Sequence, residues 1–270
     1  MPESSPRKDL WAAGDLYEPY VGRWSRVVAK EFLVWLAVPP DKHWLDVGCG
    51  TGALTQTIQR HAAPAKMHGV DPSAGFIDYA RAHSQDARFD VEDAQSLSMP
   101  RGAFDVAVAG LVLNFVPKPE RAAAEMHRVV ALGGTVAAYV WDYAGEMQLM
   151  RYFWDAAVDL NPGAQPLDEG VRFPLCHPEA LAALFRGAGL QDVEVRAIDA
   201  PTPFRDFDDY WTPFLGGQAP APGYCMSLDE RSRERLRERI RAKLPIRADG
   251  SIHLIARAWA VKGRAVTAAA

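Results

Sequence analysis

The 270-residue chain is sparing in the features that usually mark a protein's class. It has three cysteines, Cys49, Cys176 and Cys225, far apart and without a CxxC pair. That excludes a disulfide framework and a cysteine zinc site, and it fits a reducing compartment. No apolar run exceeds Val106 to Leu113, far short of the ~20 residues a membrane-spanning helix needs. Met1 to Lys8 lead into no apolar stretch, so no secretory signal is expected and the localisation is read as cytoplasmic. Charge of one sign is also scarce. The formal net charge is -4, too weak to draw the protein to nucleic acid or anionic lipid. There is no internal repeat, no long linker and no metal-ligand spacing, so no metal is expected. With 49% hydrophobic and 24% charged residues, what remains is an ordinary globular chain long enough to bury a core.

What is present is a rhythm. After a polar start, an aromatic helix-like stretch runs from Leu16 to Leu36. Trp44 to Val47 then forms a short strand that meets a glycine cluster, followed by a helix from Ala53 to His61. Lys66 to Asp71 is a second strand, and Ser73 caps a helix running to about His83. Phe89 and Val91 mark a third strand, and Phe104 to Leu111 a fourth, apolar on both faces like a central parallel strand. A helix from Pro119 to Ala131 should stop at Gly133 and Gly134, before a fifth strand from Thr135 to Trp141. Strands alternating with helices predict a doubly wound α/β sheet with right-handed crossovers. Beyond Trp141 the pattern gives a helix from Gly145 to Leu160, a Pro/Gly-rich loop, and a helix from His177 to Ala188. A strand from Asp192 to Ile198 follows, then a segment with five prolines between Ala200 and Tyr224. Ser227 with Glu230 reads as a capping box for a helix with an apolar stripe at Leu236, Ile240 and Leu244, and Ser251 to Val261 is the last strand.

The segment Leu45 to Gly52 carries the most chemistry. Gly48, Gly50 and Gly52 let backbone approach a ligand at a strand-to-helix turn, where helix N–H groups are unpaired. Gly48, Gly50 and Ala53 also fit a loose dinucleotide fingerprint, so the glycines do not decide the ligand. Asp46 does. A carboxylate two positions before the first glycine would repel a pyrophosphate, but it favours the ammonium and sulfonium of S-adenosylmethionine. Asp71 ends the second strand, where it can accept from ribose hydroxyls. Asp93 follows the third, where it can accept from an adenine amine while the Ala94 N–H faces a ring nitrogen. Three acids at three successive strand ends suit a cationic adenosine ligand.

Across residues 40–141 the chain resembles class I S-adenosylmethionine-dependent methyltransferases, in particular the bacterial small-molecule branch of the ubiquinone/menaquinone-biosynthesis type. The motifs are Leu45 to Gly52, Val70 to Ser73, Asp93 to Leu97, Ala103 to Asp105, and the pair Gly133 and Gly134. The resemblance implies a mostly parallel seven-stranded sheet whose last two strands form an antiparallel hairpin. It implies an N-terminal helical cap at Tyr17 to Ser25, with Arg23 placed to pair with the methionine carboxylate. Helical insertions would follow strand 5 and separate strands 6 and 7. The cofactor set it implies is Arg23, Asp46, Gly48, Gly50, Gly52, Asp71, Pro72, Asp93, Ala94 and Leu111. Two departures stand out. Glu92 occupies a position where relatives often carry glycine, and Asn114 with Phe115 replaces a histidine or aromatic pair, so no acid/base role carries over and the catalytic residue is unknown. The expected organisation is a single methyltransferase domain, with a cap at 1–40, a cofactor core at 41–141, an insertion and helix at 142–190, and the last strands with a second insertion at 191–261.

The expected activity is methyl transfer to a small organic acceptor of aromatic or apolar character. Alternatives are a methyltransferase for nucleic acid or protein, an NAD-dependent dehydrogenase, and a non-catalytic S-adenosylmethionine-binding module. Asp46 speaks against the dehydrogenase. Asp229 to Arg247 holds eight basic and four acidic residues, but interleaved Glu234 and Glu238 fit a solvated helix better than an RNA face. Tyr152, Phe153 and Trp154, and Tyr210, Trp211 and Phe214, either pack a small core of their own or line an acceptor pocket. His68 is expected in the core, His127 on a solvated face, His177 at a helix cap and His253 facing water. Cys49 is expected to be a small filler of the glycine turn.

Overall fold

In a computed structural model, residues 23–217 and 219–266 are described. Seven strands form one sheet in the order β3-β2-β1-β4-β5-β7-β6. These are β1 (His43–Val47), β2 (Lys66–Asp71), β3 (Arg88–Val91), β4 (Phe104–Gly110), β5 (Val130–Trp141), β6 (Gln191–Phe204) and β7 (Ile252–Arg264). The first five run parallel, and β7 is antiparallel to both β5 and β6. The helices are α1 (Arg23–Leu36), α2 (Ala53–His61), α3 (Ala74–His83), α4 (Pro119–Val129), α5 (Gln148–Leu160), α6 (Glu169–Arg172), α7 (Pro178–Gly187), α8 (Phe207–Trp211), α9 (Pro220–Ser227) and α10 (Glu230–Lys243).

Strand periodicity sorts the core to the two faces of the sheet. Trp44, Val106, Val108, Tyr139 and Trp141 pack with Val28 and Phe32 of α1. The alternate residues Leu45, Val47, Ala107, Ala109 and Val140 pack with Ala122 and Met126 of α4 and Phe185 of α7. This alternation places Tyr139 and Trp141 on the α1 side of the sheet, and the Phe32 and Tyr139 rings lie 4.8 Å apart. The chain order reverses between β1 and β4, so a crevice opens at the carboxyl ends of these strands. No helix among the described residues is long and apolar enough to cross a membrane.

Several boundaries differ from the sequence expectation, each for a local reason. Helix α4 ends at Val129 and β5 begins at once, so Gly133 and Gly134 lie inside the strand. A Cβ at Gly134 would sit 2.5 Å from the Asp105 carbonyl, and the β4–β5 register shifts here between Phe104 and Val106. The glycine pair serves an irregular crossing of two strands and does not stop the helix. Strand β6 continues through Pro201 and Pro203 to Phe204, paired with β7 throughout that extension. It is an edge strand, and its outer side needs no N–H donor, so proline is tolerated. Helix α5 starts at Gln148, after the Asp142 carboxylate accepts from the Glu146 N–H. Helix α10 is capped by Asp229, whose Oδ1 accepts from the Ser232 N–H at 2.7 Å. Ser227 belongs to the end of α9, where its hydroxyl donates to the Tyr224 carbonyl. The expected loop after α5 contains the short helix α6 and two 3-10 turns.

Candidate active site

The crevice is floored by the turn between β1 and α2. Gly48, Gly50 and Gly52 all adopt positive φ, at 72°, 53° and 89°. At Gly48 a Cβ would lie 2.5 Å from Val112 Cγ2, so both conformation and space require glycine there. Gly52 is the N-cap of α2 and supplies no side-chain acceptor, which leaves first-turn N–H groups directed towards the crevice end.

Asp46 lies beneath this turn, almost fully buried. Its Oδ2 accepts from Thr55 Oγ1 at 2.7 Å, while Oδ1 is buried without a partner. Burial pushes its pKa up to about 7, with nearby Asp71 adding to the rise and the Thr55 hydroxyl opposing it. A buried carboxylate oxygen without a donor is costly. A cation or a donor supplied from the crevice would relieve it. Asp71, at the end of β2, accepts from the Gly50 N–H at 3.0 Å and from the Ser73 N–H at 2.9 Å. Desolvation raises its pKa against these two bonds. Asp71 therefore braces the glycine turn while lining the same cavity.

Asp46, Gly48, Gly50, Asp71 and Leu111 are brought together around one cavity. Leu111 holds φ 61°, an uncommon conformation for a residue with a Cβ, and its N–H donates to the Tyr139 carbonyl at 2.8 Å. Gly52 and Pro72 do not line the cavity, though each adjoins a residue that does. Ala94 is buried near the end of β3, and Asp93 is exposed, its carboxylate turned to the backbone and side-chain amides of Gln95 at 2.9–3.0 Å. Glu92, where a glycine was expected, closes this loop by accepting from the Ser98 N–H at 2.9 Å and from its hydroxyl. Arg23 opens α1, but its side chain lies outside the described residues, as does the rest of the expected cap from Tyr17 to Gly22.

The sequence reading missed part of the wall. Ser25, Arg26 and Ala29 of α1 face the cavity, as do Phe76 and Phe115. Tyr139, Trp141 and Tyr143 complete an aromatic side. The alternation of β5 could have found Tyr139 from Trp141, and helical spacing could have found Arg26 from Arg23. Among the described residues, no lining comes from beyond Tyr143. The two insertion clusters build their own core instead: Phe153 stacks on Phe214 at 4.5 Å, and the Tyr210 hydroxyl donates to the Leu149 carbonyl at 2.8 Å. Of the two readings of the insertion aromatics, the described residues show the packed core. This aromatic mass is consumed in packing α5 against α8 and α9.

Histidines stay away from the cavity. His68 is half-buried and its Nε2 lies 2.8 Å from Asp90 Oδ2, with burial lowering its pKa. His127 is not solvated: its ring nitrogens face the Ala188 and Val266 carbonyls at 2.7 and 3.3 Å, because α4 packs against the end of α7 and of β7. His177 occupies the N-cap of α7 without a side-chain cap bond, and His253 is exposed. Cys49 is buried, and desolvation with two neighbouring carboxylates pushes its thiol far above the ordinary range. It is an inert filler.

Comparison with known proteins agrees with this geometry. Residues 45–138 match the family model described as a methyltransferase domain. The trans-aconitate 2-methyltransferase of Variovorax paradoxus is 29% identical over 159 residues, covering 58% of this chain and 60% of that protein. The ubiquinone biosynthesis O-methyltransferase of Coxiella burnetii is 32% identical over 97 residues, 34% of this chain and 41% of that protein. The chain spans about half the length of the curated relatives it matches. The solved structure of phosphoethanolamine N-methyltransferase 2 from Haemonchus contortus, in complex with S-adenosyl-L-methionine, shares the fold. Its TM-score is 0.55 at 14% identity, covering 91% of this chain and 53% of that one. The glycine turn lies inside the segment 45–138 that matches the methyltransferase domain, and the strand order belongs to a fold shared with solved methyltransferases.

Proposed function

We propose that the chain transfers a methyl group from S-adenosylmethionine to a small organic acceptor. The observation that carries this reading is the Asp46 carboxylate, buried under the glycine turn with one oxygen lacking any partner. The residues present suit the cofactor. Asp46 would meet its positive charge, Asp71 keeps lone pairs for ribose hydroxyls beyond its two backbone bonds, and Leu111 and Gly48 would form the wall beside the methionine portion. Gly50, Gly52 and Pro72 would shape the turn around it, with Asp93 and Ala94 at the adenine end and Arg23 on the methionine carboxylate. Asp93 must release Gln95 or share it to do so. When bound, S-adenosylmethionine supplies a methyl group already activated on a sulfonium, so the protein's task is alignment and exclusion of water.

A nucleic-acid substrate is disfavoured by the state of the basic helix. Arg237 pairs with Asp208 and Glu238, and Arg239 and Lys243 pair with Asp159. Arg237 and Arg241 both lie over the Phe207 ring, at 5.1 and 5.2 Å. These groups tie α10 to α5 and α8. The reading is tested by calorimetric titration with S-adenosylmethionine and by label transfer from the methyl donor across carboxylic acids, phenols, amines and thiols. Donor binding without transfer to any class would leave a cofactor-binding module, and no donor binding would overturn the proposal.

A further inference from the structure

We infer that the acceptor is a carboxylic acid in its ionised form, carried on a flat apolar body, with Arg26 receiving its negative charge. This rests on the methyl-transfer reading and narrows it.

Three observations converge. First, the side of the cavity away from Asp71 is aromatic. Phe115, Trp141 and Tyr143 line it, and Phe173 packs behind Phe115 and Tyr143 with ring centroids 5.1 and 5.6 Å apart. Such walls accept a planar body by apolar contact and edge or face stacking.

Second, the described part of the wall is poor in groups suited to removing a proton from the acceptor. Among the described lining residues there is no histidine, lysine or glutamate. Asp71 accepts two backbone N–H bonds and, on the methyl-transfer reading, gives its remaining lone pairs to the cofactor's ribose. Asp46 lies under the turn with its cofactor role, and the Cys49 thiol is held protonated by burial. Asn114, next to Phe115, turns its amide nitrogen to Cys176 Sγ at 3.7 Å. A neutral alcohol or a protonated amine would need a base, and among the described lining residues there is no histidine, lysine or glutamate to serve as one. An ionised carboxylic acid needs none. One carboxylate oxygen forms the O–CH₃ bond as the S–CH₃ bond breaks, the electron pair of that bond stays on sulfur, and the products are a methyl ester and a neutral thioether. No proton moves.

Third, the charges along the cavity are segregated. The two acids, Asp46 and Asp71, sit at the strand ends that face the cofactor, and Arg26 of α1 is the one cationic side chain among the described lining residues. A guanidinium matches a carboxylate in shape and charge and disfavours an ammonium acceptor. Because a carboxylate has two oxygens, one can accept from Arg26 while the other reacts.

The test compares isosteric probes on the full chain: trans-cinnamate, trans-cinnamamide and cinnamylamine, with 1-naphthoate and 1-naphthylamine as a second set. Calorimetry with S-adenosylmethionine is run first, since failure to bind the donor sinks the underlying reading along with this one. Affinity for each probe is then measured in the presence of S-adenosylhomocysteine, and methyl esters are sought by mass spectrometry with the methyl donor. The expected result is binding and ester formation with the carboxylates, and binding at least about tenfold weaker for amide and amine. Arg26→Gln should raise the carboxylate KM about tenfold or more with donor affinity within about twofold of the parent, and Arg26→Lys should restore part of the loss. The inference is overturned if amides or amines bind as well as the acids. It is equally overturned if Arg26→Gln weakens donor binding and spares the acceptor, which would assign Arg26 to the cofactor's own carboxylate.

Discussion

The Thr55 hydroxyl donates to Asp46 Oδ2 at 2.7 Å, while Oδ1 of the same buried carboxylate meets nothing. Half of the carboxylate is thereby held by α2 and half is kept for the crevice. The α2 residue fixes the orientation of an acid on β1, and the glycine turn between them is shaped over that acid.

The first prediction concerns pH and this carboxylate. Burial raises the Asp46 pKa to about 7, and a bound cation would favour the ionised form. Below pH 7 the donor must therefore displace a proton, so affinity should rise up to about tenfold per pH unit and level off above pH 7. Asp46→Asn keeps an oxygen for Thr55 but carries no charge, so donor affinity should fall by about ten- to a hundredfold and lose this pH dependence. Calorimetry of both proteins between pH 5.5 and 8.5 checks the prediction. An unchanged slope in the variant would place the titrating group elsewhere.

Gly48→Ala should be among the most damaging small substitutions in the chain. Its new methyl would meet Val112 Cγ2 at 2.5 Å, and its φ of 72° would become strained. Strain of this kind costs about 1–3 kcal/mol, and the displaced turn would also narrow the crevice. Thermal unfolding should show the loss of stability, and donor titration should show weakened binding beyond it. Adding Val112→Ala should recover part of the stability by making room, but not the backbone strain.

The sequence made the glycine-turn half of the cavity legible because its requirements are local. A carboxylate, three glycines and a helix start fall within Asp46 to Ala53, and period-two strands place each following acid at a sheet edge. The aromatic half depends on which residues meet across the fold. Arg26 of α1, Phe115 after β4 and Tyr143 after β5 become neighbours only when the sheet is assembled. The aromatic insertions could be read as a core of their own or as a pocket, and Phe153 packs on both Phe214 and Tyr224. Composition cannot separate those outcomes. Likewise Pro201 and Pro203 signalled irregular chain, because the edge position that makes them acceptable in β6 is a property of the whole sheet.

Arg151 connects this packed region to the pocket wall. Its guanidinium pairs bidentately with Asp168 at 2.8 Å for both contacts and also donates to the Tyr143 carbonyl at 2.9 Å. Arg151→Met would leave Asp168 uncompensated and nearly buried, an effect of about 3–5 kcal/mol, or roughly 6–15 °C in Tm. Arg151→Lys keeps the charge but cannot supply the paired fork, so it should fall between the two. Because Tyr143 lines the cavity, Arg151→Lys should raise the acceptor KM more than it changes donor affinity. Scanning calorimetry with donor and acceptor titrations separates the structural effect from the positional one.

Glu169 gives the last prediction, on stability alone. It is buried in α6, where its carboxylate accepts from the Trp154 indole N–H, and desolvation pushes its pKa up to about 7. In the unfolded chain a glutamate titrates near 4.3. Between these values the folded state binds more protons than the unfolded state, so the contribution of Glu169 to stability declines as pH rises from about 4 to 7 and is fully lost above 7. The cost of holding the charge there is at most about 4 kcal/mol. Glu169→Gln retains an oxygen for Trp154 and removes the ionisation. The variant should match the parent at pH 4.5, exceed it at pH 8, and show a flatter stability profile between. Asp46 titrates over a similar range, so the comparison is made in an Asp46→Asn background, where the change in slope caused by Glu169→Gln belongs to Glu169. Denaturant unfolding across that range decides it, and an unchanged slope would mean that Glu169 is already ionised in the folded protein at low pH.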